Sequence, residues 1–247
     1  MALSSQAIAD KVILVLQDQG FVRWTKPDLA KWINLACRML VRLKPGVLVT
    51  SAALLLTAGT KQTLVGASFK KTVDGAALAI TALELLGVVR NLGSTGTEAA
   101  AGKPITLMQR QTLDVALPGW HSQAAGTEIK YLLPDLLDRK TFHVYPKATA
   151  SPAMYIEVEV TRLPVNSLQD SASAFASNDL DAGIDDIYED VLVDLVLGLA
   201  FRLDGENASY AALSWRYLSG AMAALGVRVP REKILAAASE AAGAEAV

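Results

Sequence analysis

Residues 25–43, TKPDLAKWINLACRMLVRL, describe a helix that must be covered around most of its circumference. Thr25 is a good N-cap, because its hydroxyl can accept a hydrogen bond from an otherwise orphaned backbone N–H. Asp28 supplies the carboxylate of a capping box, and Trp24, just before the cap, is placed to staple onto Leu29. Pro27 in the first turn forgoes only an N–H that had no helical partner. At 100° per residue, Asn34, Arg38, Lys31 and Arg42 share a polar strip only roughly 80° wide. Leu29, Trp32, Ile33, Ala36, Cys37, Met39, Leu40 and Leu43 spread over most of the rest. A surface helix ordinarily has a much wider polar face.

A second stretch repeats the message. Between Ala208 and Leu225 the only charge is Arg216, and small residues alternate with Trp215, Leu218, Met222 and Leu225 as fillers. Across the 247 residues apolar types make up 52% and charged types 19%, against a usual ~25% charged. Mean hydropathy is +0.31. A membrane span needs roughly 20 predominantly apolar residues, whereas the longest uncharged run, PGVLVTSAALLLTAGT, has 16 and is broken by Pro, Gly, Ser and Thr. The N-terminal MALSSQAIADK shows no secretory signal pattern. Burial against other subunits is the expectation that remains. A net charge of −2 provides no global basic field for nucleic acid. The single Cys37 rules out an internal disulfide and suits a reducing cytosol.

The pattern of apolar residues divides the chain. Helices are expected over 4–18, 25–43, 186–203, 207–225 and 231–242. Between them, VLVTSAALLLT and AGTKQTLV read as two strands around a Gly turn. ALAITALELLGVVRN fits helix or strand, PITLM is a short strand, RQTLDVAL a helical turn, and TFHVYP a strand closed by Pro. AMYIEVEVTRLP is the clearest strand, with Met154, Ile156, Val158 and Val160 alternating against Tyr155, Glu157, Glu159 and Thr161. The expected fold class is α+β and mainly helical. Residues 1–46 and 184–226 form a helical bundle, 47–165 a β-rich insertion, 166–183 a linker and 227–247 a C-terminal segment.

No stretch carries recognisable catalytic chemistry. His121 and His143 lie in neither a zinc motif nor ligand spacing, and structural or surface roles suit both. No phosphate-binding GxxxxGK[ST] and no GxSxG elbow occur. The acidic run NDLDAGIDDIYED lacks EF-hand spacing, and its acids suit the entry to a helix. No metal or cofactor is expected.

The ordered blocks RWTKPDLAKWINLACRML, LTAGTKQTL, VVRNLG, LDVALPGWH, FHVYPKA and VLGLAFRLDGENASYAALSWRYLSGAMAALG resemble the head-to-tail adaptor (connector) proteins of tailed bacteriophages, over about residues 5 to 226. On this chain the family signature falls on Arg23, Trp24, Leu29, Trp32, Asn34, Gly59, Gln62, Leu64, Arg90 and Asn91. It continues through Leu113, Asp114, Pro118, Trp120, Phe142, Tyr145, Pro146, Arg202, Asp204 and Leu225. None is catalytic in the family pattern. The long GASFKKTVDGAALAITA after QTLV, and LGLAFRLDGE, depart from it.

The resemblance implies a non-enzymatic virion protein at the head–tail interface, assembled in the host cytoplasm. It implies a homo-oligomeric ring, typically dodecameric, with portal protein on one side and a tail nozzle or tail tube protein on the other. Double-stranded DNA would pass through the channel without sequence recognition, and nothing would insert in a membrane. It also implies a C-terminal segment reaching towards the portal, here with Ile234 and Leu235 as apolar anchor beside Arg231 and Lys233. Two other classes stay open on residues alone. One is a virion-associated cell-wall hydrolase, for which Glu98, Glu128 or Glu157 are nominal carboxylates. The other is a soluble ligand-binding module with an apolar pocket.

Overall fold

The computed structural model describes residues 3–164, 183–203 and 208–227. Among them run α1 (Ser5–Leu16), α2 (Lys26–Leu43), β1 (Val49–Leu55), β2 (Gly59–Thr63), β3 (Phe69–Lys70), β4 (Ala77–Leu78) and β5 (Ala82–Asn91). Then follow β6 (Thr106–Leu107), α3 (Arg110–Ala116), β7 (Tyr131–Pro134), β8 (Thr141–Ala148), β9 (Tyr155–Arg162), α4 (Glu189–Leu203) and α5 (Ala208–Ala224). The chain separates into two compact units, Leu48–Leu163 and the remainder. The expected mainly helical bundle with a β-rich insertion is corrected here. Among the described residues nine strands build two sheets around a core of their own, so the centre of the chain is a β-rich unit and not a small insertion in a helical bundle. The expected helix over 231–242 lies outside the described residues.

In the helical unit, Thr25 caps α2 as expected: its Oγ1 accepts the Asp28 N–H at 3.4 Å and donates to the Asp28 carboxylate. Leu29, Trp32, Ile33, Ala36, Cys37 and Leu40 are buried, while Lys31, Arg38 and Arg42 face solvent. Trp24 meets Trp32 edge to face, with centroids 5.5 Å apart. Most of the apolar circumference of α2 is therefore covered within its own chain, while Met39 and Leu43 are half-buried and Leu35 is exposed. α4 lies at the centre of this unit, against α1, α2 and α5, and Leu195 to Phe201 are all buried. The acids at its entry are partly matched by Lys11 of α1, which pairs with Glu189 at 3.2 Å and Asp190 at 3.3 Å.

α5 differs. Ser214 and Ala221 are its buried described residues, while Ala211, Ala212, Arg216, Gly220, Ala223 and Ala224 are exposed. It packs on α4 by close approach at Gly198, where a Cβ would lie 2.6 Å from Leu218 Cγ and 3.3 Å from the Ser214 carbonyl. Ser214 Oγ donates to the Gly198 carbonyl at 2.7 Å, locking the crossing. Gly198→Ala gains helix propensity but forces the helices apart, for an expected net loss of about 1–3 kcal/mol in urea unfolding followed by circular dichroism.

In the β unit, β4-β3-β1-β9-β5 form an antiparallel sheet and β2-β8-β7-β6 a second, with β6 and β7 parallel. β1 and β9 pair in unbroken register from Val49↔Thr161 to Leu55↔Tyr155. Ile156, Val158 and Val160 lie in the core and Glu157 and Glu159 on the other face, as their alternation predicts, but Tyr155 and Thr161 of that face are buried too, Tyr155 against Ala53 and Leu92. One core joins Ala52, Leu54 and these β9 residues to Leu132, Phe142 and Val144 of the other sheet.

Two readings of this region change. β1 and β2 do not pair around their Gly turn; they lie in different sheets, and the turn is a corner. TFHVYP does not stop at its proline. β8 continues to Ala148, and Pro146 falls where the β2–β8 register shifts between Ala148 and His143, so its missing N–H interrupts no regular ladder.

Candidate functional site

Several signature residues of the β unit make buried polar fastenings. Gln62, buried on β2, holds the β1–β2 corner. Its amide nitrogen donates to the carbonyls of Thr57 at 2.7 Å and Gly59 at 3.2 Å, and its oxygen accepts the Thr57 N–H at 2.8 Å and hydroxyl at 3.0 Å. Gly59 has φ +120°, a backbone conformation that side chains oppose, so glycine serves the corner.

Asn91, buried at the end of β5, ties two loops together. Nδ2 donates to the carbonyls of Lys103 (3.0 Å) and Ile129 (2.8 Å), and Oδ1 accepts the Ile129 N–H at 2.8 Å. Arg90 beside it bridges two carboxylates, with Nε to Glu157 at 2.6 Å and Nη2 to Glu98 at 3.0 Å.

Trp120 is 1% exposed, and its indole N–H donates to Asp114 at 2.7 Å across the α3 turn. Leu113 and Leu133 are buried with it. His121 stacks on its ring at 3.6 Å between centroids, and Tyr145 meets it edge to face at 6.3 Å. Tyr145 donates its hydroxyl to Gln123 at 2.8 Å and precedes Pro146, while Phe142 is fully buried in the main core.

In the helical unit, Arg23 reaches both Trp24 (5.3 Å to the ring centroid) and Tyr210 (5.4 Å). The backbone N–H groups of Trp24, Val22 and Arg23 converge on the Asp18 carboxylate and hold it below the ordinary carboxylate range, Trp24 contributing most. Asn34 is half-buried on α2. Arg202 is exposed in the last turn of α4, where a cation suits the helix dipole. Arg231, Lys233, Ile234 and Leu235 lie outside the described residues.

The nominal hydrolase carboxylates are engaged elsewhere: Glu98 and Glu157 on Arg90, and Glu128 on Lys103 at 3.0 Å. Among the described residues no three His, Cys, Asp or Glu side chains are grouped for a metal, and no helix is long and apolar enough to cross a membrane.

Sequence reasoning missed two features. His121 and His143 come together, their rings 5.8 Å apart. Beside His143 opens a groove of about 310 Å³, lined by Arg110, Pro134, Asp135, Leu136 and Leu137 among others. Leu136 and Leu137, at the β7–β8 turn, are 85% and 98% exposed. An aliphatic pair inside PDLLD was the available signal.

Burial, then Arg110 and His121, hold the His143 imidazole below its ordinary pKa of 6.5. As pH falls through 6.5 the unfolded chain takes this proton first, so the folded state loses stability below that pH and not above it. The urea midpoint of the β unit is expected to fall between pH 7.5 and 5.5, and to fall less in His143→Gln.

No curated protein matches the chain. A family model, described as the SU10 adaptor protein, matches residues 4–241. With that match spanning nearly the whole length, the chain belongs to the SU10 adaptor protein family of structural bacteriophage adaptors.

Proposed function

We propose that this adaptor assembles as a ring, dodecameric as in the proteins it resembles, between the portal and the tail nozzle or tail tube. Double-stranded DNA passes through its channel without sequence recognition. The observation that carries this reading is α5. This helix has Arg216 as its single charge and packs on α4, and among the described residues Ala211, Ala212, Gly220, Ala223 and Ala224 are exposed. Neighbouring copies provide the missing cover. A net charge of −2 suits a conduit, since strong neutralisation of phosphates would hold the DNA in place.

The segment 227–247 docks on the portal, with Ile234 and Leu235 as its apolar contacts and Arg231 and Lys233 beside them. Assembly takes place in the host cytoplasm, and the role requires no catalysis.

Size-exclusion chromatography with light scattering tests this, on the chain alone and mixed with portal. A portal-bound species carrying many adaptor copies is the expected result. A chain that stays monomeric in both samples contradicts it. Deleting residues 228–247 should abolish portal binding, and unchanged binding would remove the docking role of that segment.

A further inference from the structure

Between Asp190 and Arg202, Asp194 is the one charge on α4. The helix dipole favours the acids of the first turn and the arginine of the last, but its pull has faded at Asp194, in the second turn. Leu192, Val193, Leu195 and Val196 around it are buried, and Asp194 itself is half-buried. Opposite stands Gly220 of α5, where a Cβ would lie 3.6 Å from Asp194 Oδ2. One turn along α4, Gly198 makes the close crossing with Ser214 and Leu218. The carboxylate therefore lies in the α4–α5 interface, and the exposed Gly220 leaves it a path to water.

Among the described residues, no neighbouring element neutralises this acid. Lys11 of α1 is engaged with Glu189 and Asp190. Lys31, Arg38 and Arg42 of α2 face solvent, Arg216 of α5 is exposed one turn before Gly220, and Asp186 in the turn before α4 is an acid too. Asp194 has no ion-pair or hydrogen-bond partner among the described residues, and the charge that acts on it is Asp190, of the same sign. A carboxylate drawn partly out of water without a partner favours its neutral form. Burial, then Asp190, accordingly hold Asp194 above its ordinary pKa of 3.8. As pH falls towards that value the folded chain takes this proton before the unfolded chain does, so the crossing gains stability in mild acid. Asp18 and Asp186 of the same unit are held below 3.8, and their contribution is lost only in stronger acid.

α5 packs on α4, so this crossing decides how firmly α5 is seated. We propose that Asp194 is a proton-operated latch on α5. Ionised, its carboxylate turns to water past Gly220 and α5 opens from α4; protonated, it settles into the crossing and α5 stays seated. The latch works within one chain and is independent of the ring reading above.

Hydrogen exchange on the full-length chain tests it, at pH 7.5 and 5.0, below the concentration at which the chain self-associates. Rates are read by mass spectrometry and normalised to the intrinsic exchange rate at each pH. Amides of α5 should be at least about twofold more protected at pH 5.0. Asp194→Asn is neutral at every pH, so its α5 should be protected at pH 7.5 as the wild-type helix is at 5.0, and the pH difference should vanish. Gly220→Ala narrows the path to water at an ordinary contact distance and should enlarge the difference. Circular dichroism confirms that each variant is folded. Wild-type α5 protection that is equal or lower at pH 5.0 overturns the latch, as does a pH response that survives Asp194→Asn. Should Asp194→Asn not fold, carbon-13 titration of the wild-type Asp194 carboxyl decides: a midpoint above 3.8 supports the latch, and one at or below it overturns the latch.

Discussion

Trp120→Ala is expected to destabilise the β unit by about 3–5 kcal/mol, the range for truncating a large buried aromatic. Trp120 is almost completely enclosed, so its removal opens a cavity among Leu113, Leu133 and the ring of Tyr145. The His121 stack is lost, and Asp114 is left without its donor. Those two partners are exposed enough for water to replace part of what is lost, so the cavity sets the scale. Trp120→Phe keeps most of the ring and should cost less than half as much. Urea unfolding followed by far-ultraviolet circular dichroism at a strand-sensitive wavelength separates the outcomes. A loss below about 1 kcal/mol for the alanine variant would show that the site collapses around the gap, against the cavity argument.

Asn91→Ala is the second large effect. One side chain satisfies the buried carbonyl and N–H of Ile129, 38 residues away, and the half-buried carbonyl of Lys103, 12 residues away. Lys103 O keeps a second donor, the Asn91 backbone N–H at 3.0 Å, so the exposed losses are the N–H and carbonyl of Ile129. Each buried group left without a partner costs about 1–3 kcal/mol, which puts the total at about 2–5 kcal/mol. Hydrogen exchange reads this directly: the Ile129 amide should exchange at least about thirtyfold faster, with most amides of the β1–β9 ladder less affected. Equal acceleration throughout the unit would mean that Asn91 supports the whole sheet and not the junction of two loops.

What the sequence made legible follows the range over which each signal acts. The cap of α2 lies within four residues, and Thr25 and Asp28 form it as read. The alternation of β9 is local too: its inward face came through, but Tyr155 and Thr161, read on the outward face, are buried as well. β5 did not, for a physical reason. Its pairing with β9 shifts register between Ala82 and Glu84, Leu85 and Gly87, and Val88 and Asn91, so its apolar residues lose the two-residue period and imitate a helix. β3, β4 and β6 are two residues long, too short to show a period. With so many strands faint, the weight of the chain was assigned to its helices. The glycine between β1 and β2 announced a turn, but not that the chain would leave the sheet there.

The same limit applies to the candidate surfaces. The resemblance to phage adaptors is borne out by the family match, and it singled out residues such as Gln62 and Asn91 without saying what they do. Their partners are backbone groups, which carry no sequence signature. α2 was expected to be covered on several sides, and its own chain supplies most of that cover, leaving Leu35 exposed and Met39 and Leu43 half-buried. α5 carries more of that expectation: it packs closely on α4, and among the described residues Ala211, Ala212, Gly220, Ala223 and Ala224 stay exposed.

The central claim is that sister copies and a portal ring cover what a single chain leaves exposed. Electron microscopy of the full-length chain mixed with portal tests it most directly. Rings of this protein stacked coaxially on portal particles are the predicted result. Portal particles with no added density, beside an adaptor that remains monomeric at high concentration, would contradict it.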